Sequence, residues 1–93
     1  MRVEWDDAKA AANLRKHRVS FEEAAEVFDD PNALDDYDWE HSDEEARFFI
    51  IGLSSQRLLY VVYAERKNDV LRVISARRAN KLERKNYERA RIS

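Results

Sequence analysis

The sequence predicts an α+β fold: two N-terminal helices, an antiparallel sheet of three to four strands and a C-terminal helix. Three observations carry that prediction. A helix signature occupies residues 20–28, two β-rich runs follow at 47–53 and 57–64, and the chain closes on a basic stretch with helical spacing. Ninety-three residues with 44% apolar content, one Gly and one Pro suffice for a single domain over residues 1–93, with no room for a second core.

Asp6 is the candidate N-cap of a first helix from Asp7 to about His17, a run of helix formers whose apolar stripe is thin: Ala8, Ala11, Ala12 and Leu14. It is expected at the surface. Ser20 and Glu23 form an S-x-x-E capping box, and Phe21, Ala24, Ala25 and Phe28 follow at helical spacing until Pro31 stops the element. Residues 33–39 read as a short edge strand or a loop. Arg47–Leu53 and Arg57–Ala64 read as hairpin strands joined by Ser54-Ser55-Gln56. The second is apolar on both parities, which predicts a central strand covered on both faces. Gly52 inside a strand predicts a bulge or a close backbone approach. Lys67-Asn68-Asp69 is a second turn leading into Val70–Ala76, and Arg77 to about Arg91 reads as the last helix, with Ala79, Leu82 and Ala90 on its packing side and Tyr87 at the margin.

The net charge of −2 conceals strong segregation. Residues 19–46 hold twelve Asp/Glu and no Lys or Arg, whereas residues 66–93 hold ten Lys/Arg against three Asp/Glu. One face suits phosphate and another suits a basic partner or self-association. The absence of cysteine excludes disulfides, thiolate nucleophiles and Cys-zinc sites, and fits a reducing cytoplasm. No apolar run approaches a membrane span, and the first residues lack a signal-peptide core. Gly52 is the only glycine, so there is no phosphate-cradling loop. His17 and His41 are too few and too far apart for a metal site, and no cofactor is expected.

Several groups remain that could handle RNA without metal. Lys16 and His17 end the first helix, where imidazole could take a proton from a ribose 2′-hydroxyl or simply complement the helix dipole. Arg72, Arg77 and Arg78 line a strand running into a basic helix that includes Lys81. Guanidinium grips phosphate bidentately and stabilises the phosphorane, although these arginines could equally pair with the acidic middle. Strand alternation puts Arg72 with Arg78 on one face and Ser75 with Arg77 on the other. Glu65 is a candidate base or a turn-flanking ion-pair member, and Arg47 a candidate to converge with Arg77 on one sheet end. Tyr87 could donate a proton or stack on a base, or be buried with its hydroxyl bonded. His41 sits among acids that repel phosphate.

Two strings carry a family resemblance. Trp5-Asp6-x2-Lys9-x3-Asn13-x2-Lys16-His17-x-Val19-x-Phe21-x2-Ala24 resembles the N-terminal signature of BrnT-type toxins, and Ile74-Ser75-Ala76-Arg77-x-Ala79-x3-Glu83-x3-Tyr87 resembles their C-terminal signature. The segment from His41 to Arg47 resembles the linker before their second strand. The resemblance implies a RelE-like ribonuclease fold, growth arrest by RNA cleavage, and neutralisation by a BrnA-type antitoxin with a ribbon-helix-helix DNA-binding part. It also implies two toxins with two antitoxins, and operator DNA bound only through the antitoxin. Lys9, Lys16, His17, Arg47 and Arg77 are the functional candidates it carries over. Arg18 stands where the family usually has Gly; if that position has positive φ, either Arg18 accepts strain or the turn differs.

Two functions follow as expectations. In the first, the chain is a metal-independent endoribonuclease: Arg77, helped by Arg47 and Arg72, holds the phosphate, His17 or Glu65 acts as base, and Lys9, Lys16, Arg78 and Lys81 contact RNA. In the second it is a non-catalytic interaction module that binds a basic partner and meets nucleic acid only within a complex.

Overall fold

In the computed structural model, which describes residues 1–92, the first helix starts where its cap predicts. Asp6 accepts the Lys9 N–H at 3.0 Å, and α1 runs from Asp7 to His17. It ends on Arg18, which adopts φ 60° and ψ 31°, the left-handed cap conformation that costs a residue with a Cβ ~1–2 kcal/mol. The strained position inferred from the family's glycine is therefore real. Ser20 caps the Glu23 N–H at 3.0 Å to open α2, Phe21–Ala25, which tightens into a 3₁₀ turn over Glu26–Asp29 before Pro31. Only half of the capping box forms, because the Glu23 carboxylate turns instead to Arg57.

The sheet has five strands, one more than the upper expectation. A three-residue strand β1, Arg2–Glu4, precedes α1 and pairs parallel with the last strand. Residues 33–39 resolve into β2, Leu34–Tyr37. β3 spans Phe48–Leu53, β4 Leu58–Arg66 and β5 Val70–Arg78, in the order β1-β5-β4-β3-β2, with every pair but the first antiparallel. Asn68 and Asp69 turn the chain between β4 and β5 with φ of 63° and 61°, a conformation that short polar side chains tolerate best.

Arg77 and Arg78, expected to open the last helix, belong to β5 and pair with Tyr60 and Leu59. The helix α3 starts only at Lys81. The reason is a reciprocal capping box that sequence reasoning missed: Glu83 N–H donates to Asn80 Oδ1 and Asn80 N–H to Glu83 Oε1, each at 2.8 Å.

β4 is central and covered on both sides, as its two apolar parities predict. Leu59, Val61 and Tyr63 join Val73, Ala76, Val19, Phe21, Ala24 and Val27 in the main core under α1 and α2. On the opposite face Leu58 and Ile51 pack against Tyr87 of α3. Gly52 marks a close approach rather than a bulge: a Cβ there would lie 3.1 Å from Val27 Cβ and 3.2 Å from Val27 O. The packing stripes of both long helices differ from expectation. Ala8, Ala11, Ala12 and Leu14 are exposed, and α1 buries Asn13 instead; Leu82 and Ala90 are exposed, and α3 buries Tyr87. Among the described residues no helix is long and apolar enough to cross a membrane.

Candidate nucleic-acid interface

The ladder between β4 and β5 shifts once. Val62 pairs with Ser75 and Tyr63 with Val73, so Ile74 has no partner. Such a bulge inverts the face of every residue beyond it. Unbroken alternation would put Arg72 with Arg78. Instead Arg72 pairs with Ala64 and Arg77 with Tyr60, residues of one parity on β4, so these two arginines share the α3 face. Arg78 pairs with Leu59 and points toward α1 and α2. That pairing of arginines is the first correction to the sequence reading.

Arg77 is held firmly. Its guanidinium lies 4.2 Å over the Tyr60 ring and forms a fork with Glu83, Nη1 to Oε1 and Nη2 to Oε2 at 2.8 Å each. Nη1 also donates to Arg78 O at 3.2 Å, which leaves Nε–H and one Nη2–H for a ligand. Burial raises the Glu83 pKa, but hydrogen bonds from Arg77 and the Asn80 amide outweigh it and hold the carboxyl below its usual range. Tyr60 stacks on Phe49 with centroids 5.4 Å apart and planes 11° from parallel, which adds an aromatic platform to the guanidinium.

Four rungs from Tyr60, roughly 13 Å along the strand, the same face opens into a cleft of about 420 Å³ lined by Arg2, Glu4, Arg66, Lys67, Val70 and Arg72. Four cations there meet one acid. Glu45 joins this cleft to its neighbour by receiving Arg66 at 3.2 Å on one oxygen and Arg47 at 3.9 Å on the other. The neighbouring cleft, about 480 Å³, is lined by His41, Asp43, Glu44, Glu45 and Arg47. His41 Nδ1 lies 2.8 Å from Oδ2 of Asp38, which is 5% exposed, and Asp38 Oδ1 accepts the Glu40 and His41 amides. A buried acid thus orients an imidazole whose Nε2 remains available. The aspartate three residues before His41 was the signal that sequence reasoning passed over.

The remaining candidates do not gather at one phosphate. His17 ends α1 next to Arg18, whose carbonyl accepts Arg57 Nη2 at 2.8 Å, and Arg57 pairs with Glu23 of α2. No bond joins His17 to Arg77 among the described residues: the Arg77 guanidinium is engaged by Glu83, Arg78 O and the Tyr60 ring. Glu65 pairs with Leu71, whose side chain packs on the α1/α2 core, so it faces away from Arg77. Arg47 precedes Phe48, which pairs with Tyr63, and sits at the Arg72 end of the sheet rather than converging with Arg77. Lys9 and Lys16 are exposed on α1, and Lys81 is exposed at the start of α3, three residues beyond β5. Tyr87 is buried and its hydroxyl donates to Asp30 Oδ2 at 2.6 Å; burial first, then that bond, pushes its pKa up to about 12.

Beside this geometry stand two similarities. The sequence model of a family described as the ribonuclease toxin BrnT of type II toxin–antitoxin systems matches residues 5–83. Among solved structures, the crystal structure of the Brucella abortus ribonuclease toxin BrnT is similar with a TM-score of 0.67 and 23% identity, covering 87% of this chain and 99% of that one. Comparison with curated protein sequences gives no match.

Proposed function

This chain belongs to the BrnT family of ribonuclease toxins of type II toxin–antitoxin systems, and from that premise we propose that it is itself an endoribonuclease whose RNA lies along the arginine-bearing sheet face. The observation that carries the reading is the placement of Arg72 and Arg77 on one face with the stacked pair Tyr60 and Phe49. Guanidinium groups neutralise phosphates, and the stacked Tyr60 and Phe49 rings hold the Arg77 guanidinium in place through its cation–π contact. Lys81 extends the basic track at the Arg77 end, and Arg2, Arg66 and Lys67 extend it at the other.

The chemistry proposed is transesterification without metal. His41, oriented by Asp38, takes the proton of a ribose 2′-hydroxyl; the 2′-oxygen attacks the adjacent phosphorus. The bond from phosphorus to the 5′-oxygen breaks, that oxygen takes a proton from solvent, and a 2′,3′-cyclic phosphate remains. Arg47 and Arg72 stabilise the charge that builds on the phosphorane, an effect of ~10²–10³-fold per essential donor.

The test is incubation of the purified chain with total RNA, with and without EDTA. Cleavage is expected to survive EDTA, and Arg72→Ala is expected to slow it ~100-fold. RNA left intact across a range of pH, or an Arg72→Ala variant as fast as the parent, overturns the reading. A binding-only function is favoured by one observation, the commitment of both Arg77 Nη atoms to Glu83. It would show itself as intact RNA, retained with steep salt dependence.

The family implies a cognate antitoxin. We propose that it is of the BrnA ribbon-helix-helix type, that it alone reads the operator, and that the cytoplasmic complex holds two chains of each. The mass of the co-purified complex tests the stoichiometry.

A further inference from the structure

The sheet ends on one side at β2, whose register with β3 occupies only one of its edges. An open strand edge is a template for another chain, and proteins commonly blunt it with lysine, proline or a bulge. Here the edge is acidic. Asp35 and Asp36 lie within β2, Asp29 precedes it and Glu40 follows it, all exposed. Among the described residues none of the four has an ion-pair partner, although Asp36 Oδ1 accepts the Tyr37 N–H at 2.7 Å and Asp35 accepts the Tyr63 hydroxyl. Two residues beyond the strand stands Trp39, 85% exposed, edge-on to Tyr37 at 4.5 Å, with Tyr37 in turn edge-on to Phe48 at 5.6 Å. An aromatic column rooted in the core thus surfaces on an indole that the chain itself does not cover.

These features select an occupant. A second copy of the same edge would set Asp35 and Asp36 against like charges, which is destabilising across a strand pair. A basic extended segment meets no such repulsion; its alternating side chains reach the two aspartates, one on each face of the sheet, and an apolar one can seat on Trp39. We propose that the outer edge of β2 is the anchoring site for a basic strand of the cognate antitoxin, added as a sixth strand with Trp39 as its apolar contact. The inference rests on family membership and is separate from the catalytic reading, since β2 lies two strands away from β4 and three from the β5 arginines.

The test uses the full chain co-expressed with the small protein encoded by the neighbouring reading frame. Backbone hydrogen exchange is measured at residues 34–37 with and without that protein, alongside affinities of Asp35→Lys/Asp36→Lys, Trp39→Ala and Arg72→Ala. The substituted side chains are exposed or half-exposed, and thermal melts confirm that each variant is folded. Protection of residues 34–37 on complex formation, binding ~30-fold weaker for Trp39→Ala on the scale of an interface tryptophan, a comparable loss on charge reversal, and unchanged binding by Arg72→Ala are the results expected. Unchanged exchange at 34–37 together with normal binding by the charge-reversed variant overturns the proposal, whether or not the chain cleaves RNA. Protection of the same amides in the isolated chain, with a dimeric mass, overturns it in favour of a second copy.

Discussion

Asn13 gives the sharpest test of how this chain holds itself together. β1 pairs with β5 only as far as Glu4 opposite Arg72, so at Ala76 the outer edge of β5 has no strand beside it. The Asn13 amide stands in for the missing strand. Its Oδ1 accepts the Ala76 N–H at 3.1 Å, and its Nδ2 donates to Ala76 O at 2.8 Å and to Val19 O at 3.0 Å. The residue is 7% exposed, so water does not replace it readily. Asn13→Ala leaves one N–H and two carbonyls unmatched. At ~1–3 kcal/mol for an orphaned buried group, with the carbonyls at the low end because each has a second lone pair, the expected loss is about 3–5 kcal/mol. A domain of this size has roughly 5–14 kcal/mol in all, so the melting temperature should fall by roughly 15–30 °C.

Asn13→Asp discriminates further. The introduced carboxylate still accepts the Ala76 N–H but faces two carbonyl oxygens, so at pH 7 it should be worse than Ala. Its folded pKa is raised by burial and by those oxygens. The excess penalty is therefore absent below the unfolded value near 3.9 and grows as pH rises toward the folded value. Urea unfolding followed by circular dichroism at several pH values measures all three proteins. An Asn13→Ala protein within 1 kcal/mol of the parent at unchanged m-value (a limit set by the ~1 kcal/mol net worth of one hydrogen bond) would refute the reasoning.

Other outcomes follow from single residues. Glu23, 6% exposed, receives Arg57 through two bonds of 2.8 and 3.0 Å and the Ser54 hydroxyl at 2.7 Å, and the Arg57 bonds lead in holding its pKa below 4.5. Its contribution is complete above pH 4.5 and lost as pH falls through the depressed folded value. Glu23→Gln should cost about 2 kcal/mol at pH 7, less than a fully buried pair because Arg57 reaches water, and should flatten the acid limb of stability measured by urea titration. Arg18→Gly should raise stability by up to ~1 kcal/mol, since it relieves the left-handed conformation and keeps the carbonyl that Arg57 uses; a lower melting temperature would contradict this. Gly52→Ala should cost ~1–3 kcal/mol in the same denaturation assay, because backbone and Cβ atoms of Val27 cannot swing aside as a flexible side-chain end would.

What the sequence disclosed tracks the range of the force involved. Caps are local, and Asp6 and Ser20 were readable from a few neighbours, whereas the left-handed Arg18 was suggested only by the family's usual glycine. Burial on both faces of β4 was readable because every second residue of either parity is apolar. β1 was not, since three residues contain no period and its pairing partner lies near the far end of the chain. α1 was misread because the residue it buries is an asparagine, which no apolar stripe reveals. At the candidate site, the segregation of charge announced a basic face, but which arginines share it depends on the unpaired Ile74. No feature of the local sequence marks that residue. The separation of His17 from Arg77 is likewise set by tertiary register, which local sequence does not carry.

The parallel pairing of β1 with β5 has a consequence for how this protein is made. The first strand and the amide of Asn13 both wait for the strand that is made after the other four, Ala76 lying 63 positions beyond Asn13. Contacts this distant along the chain close late. A growing polypeptide on its ribosome therefore cannot assemble a finished sheet until its fifth strand has been translated.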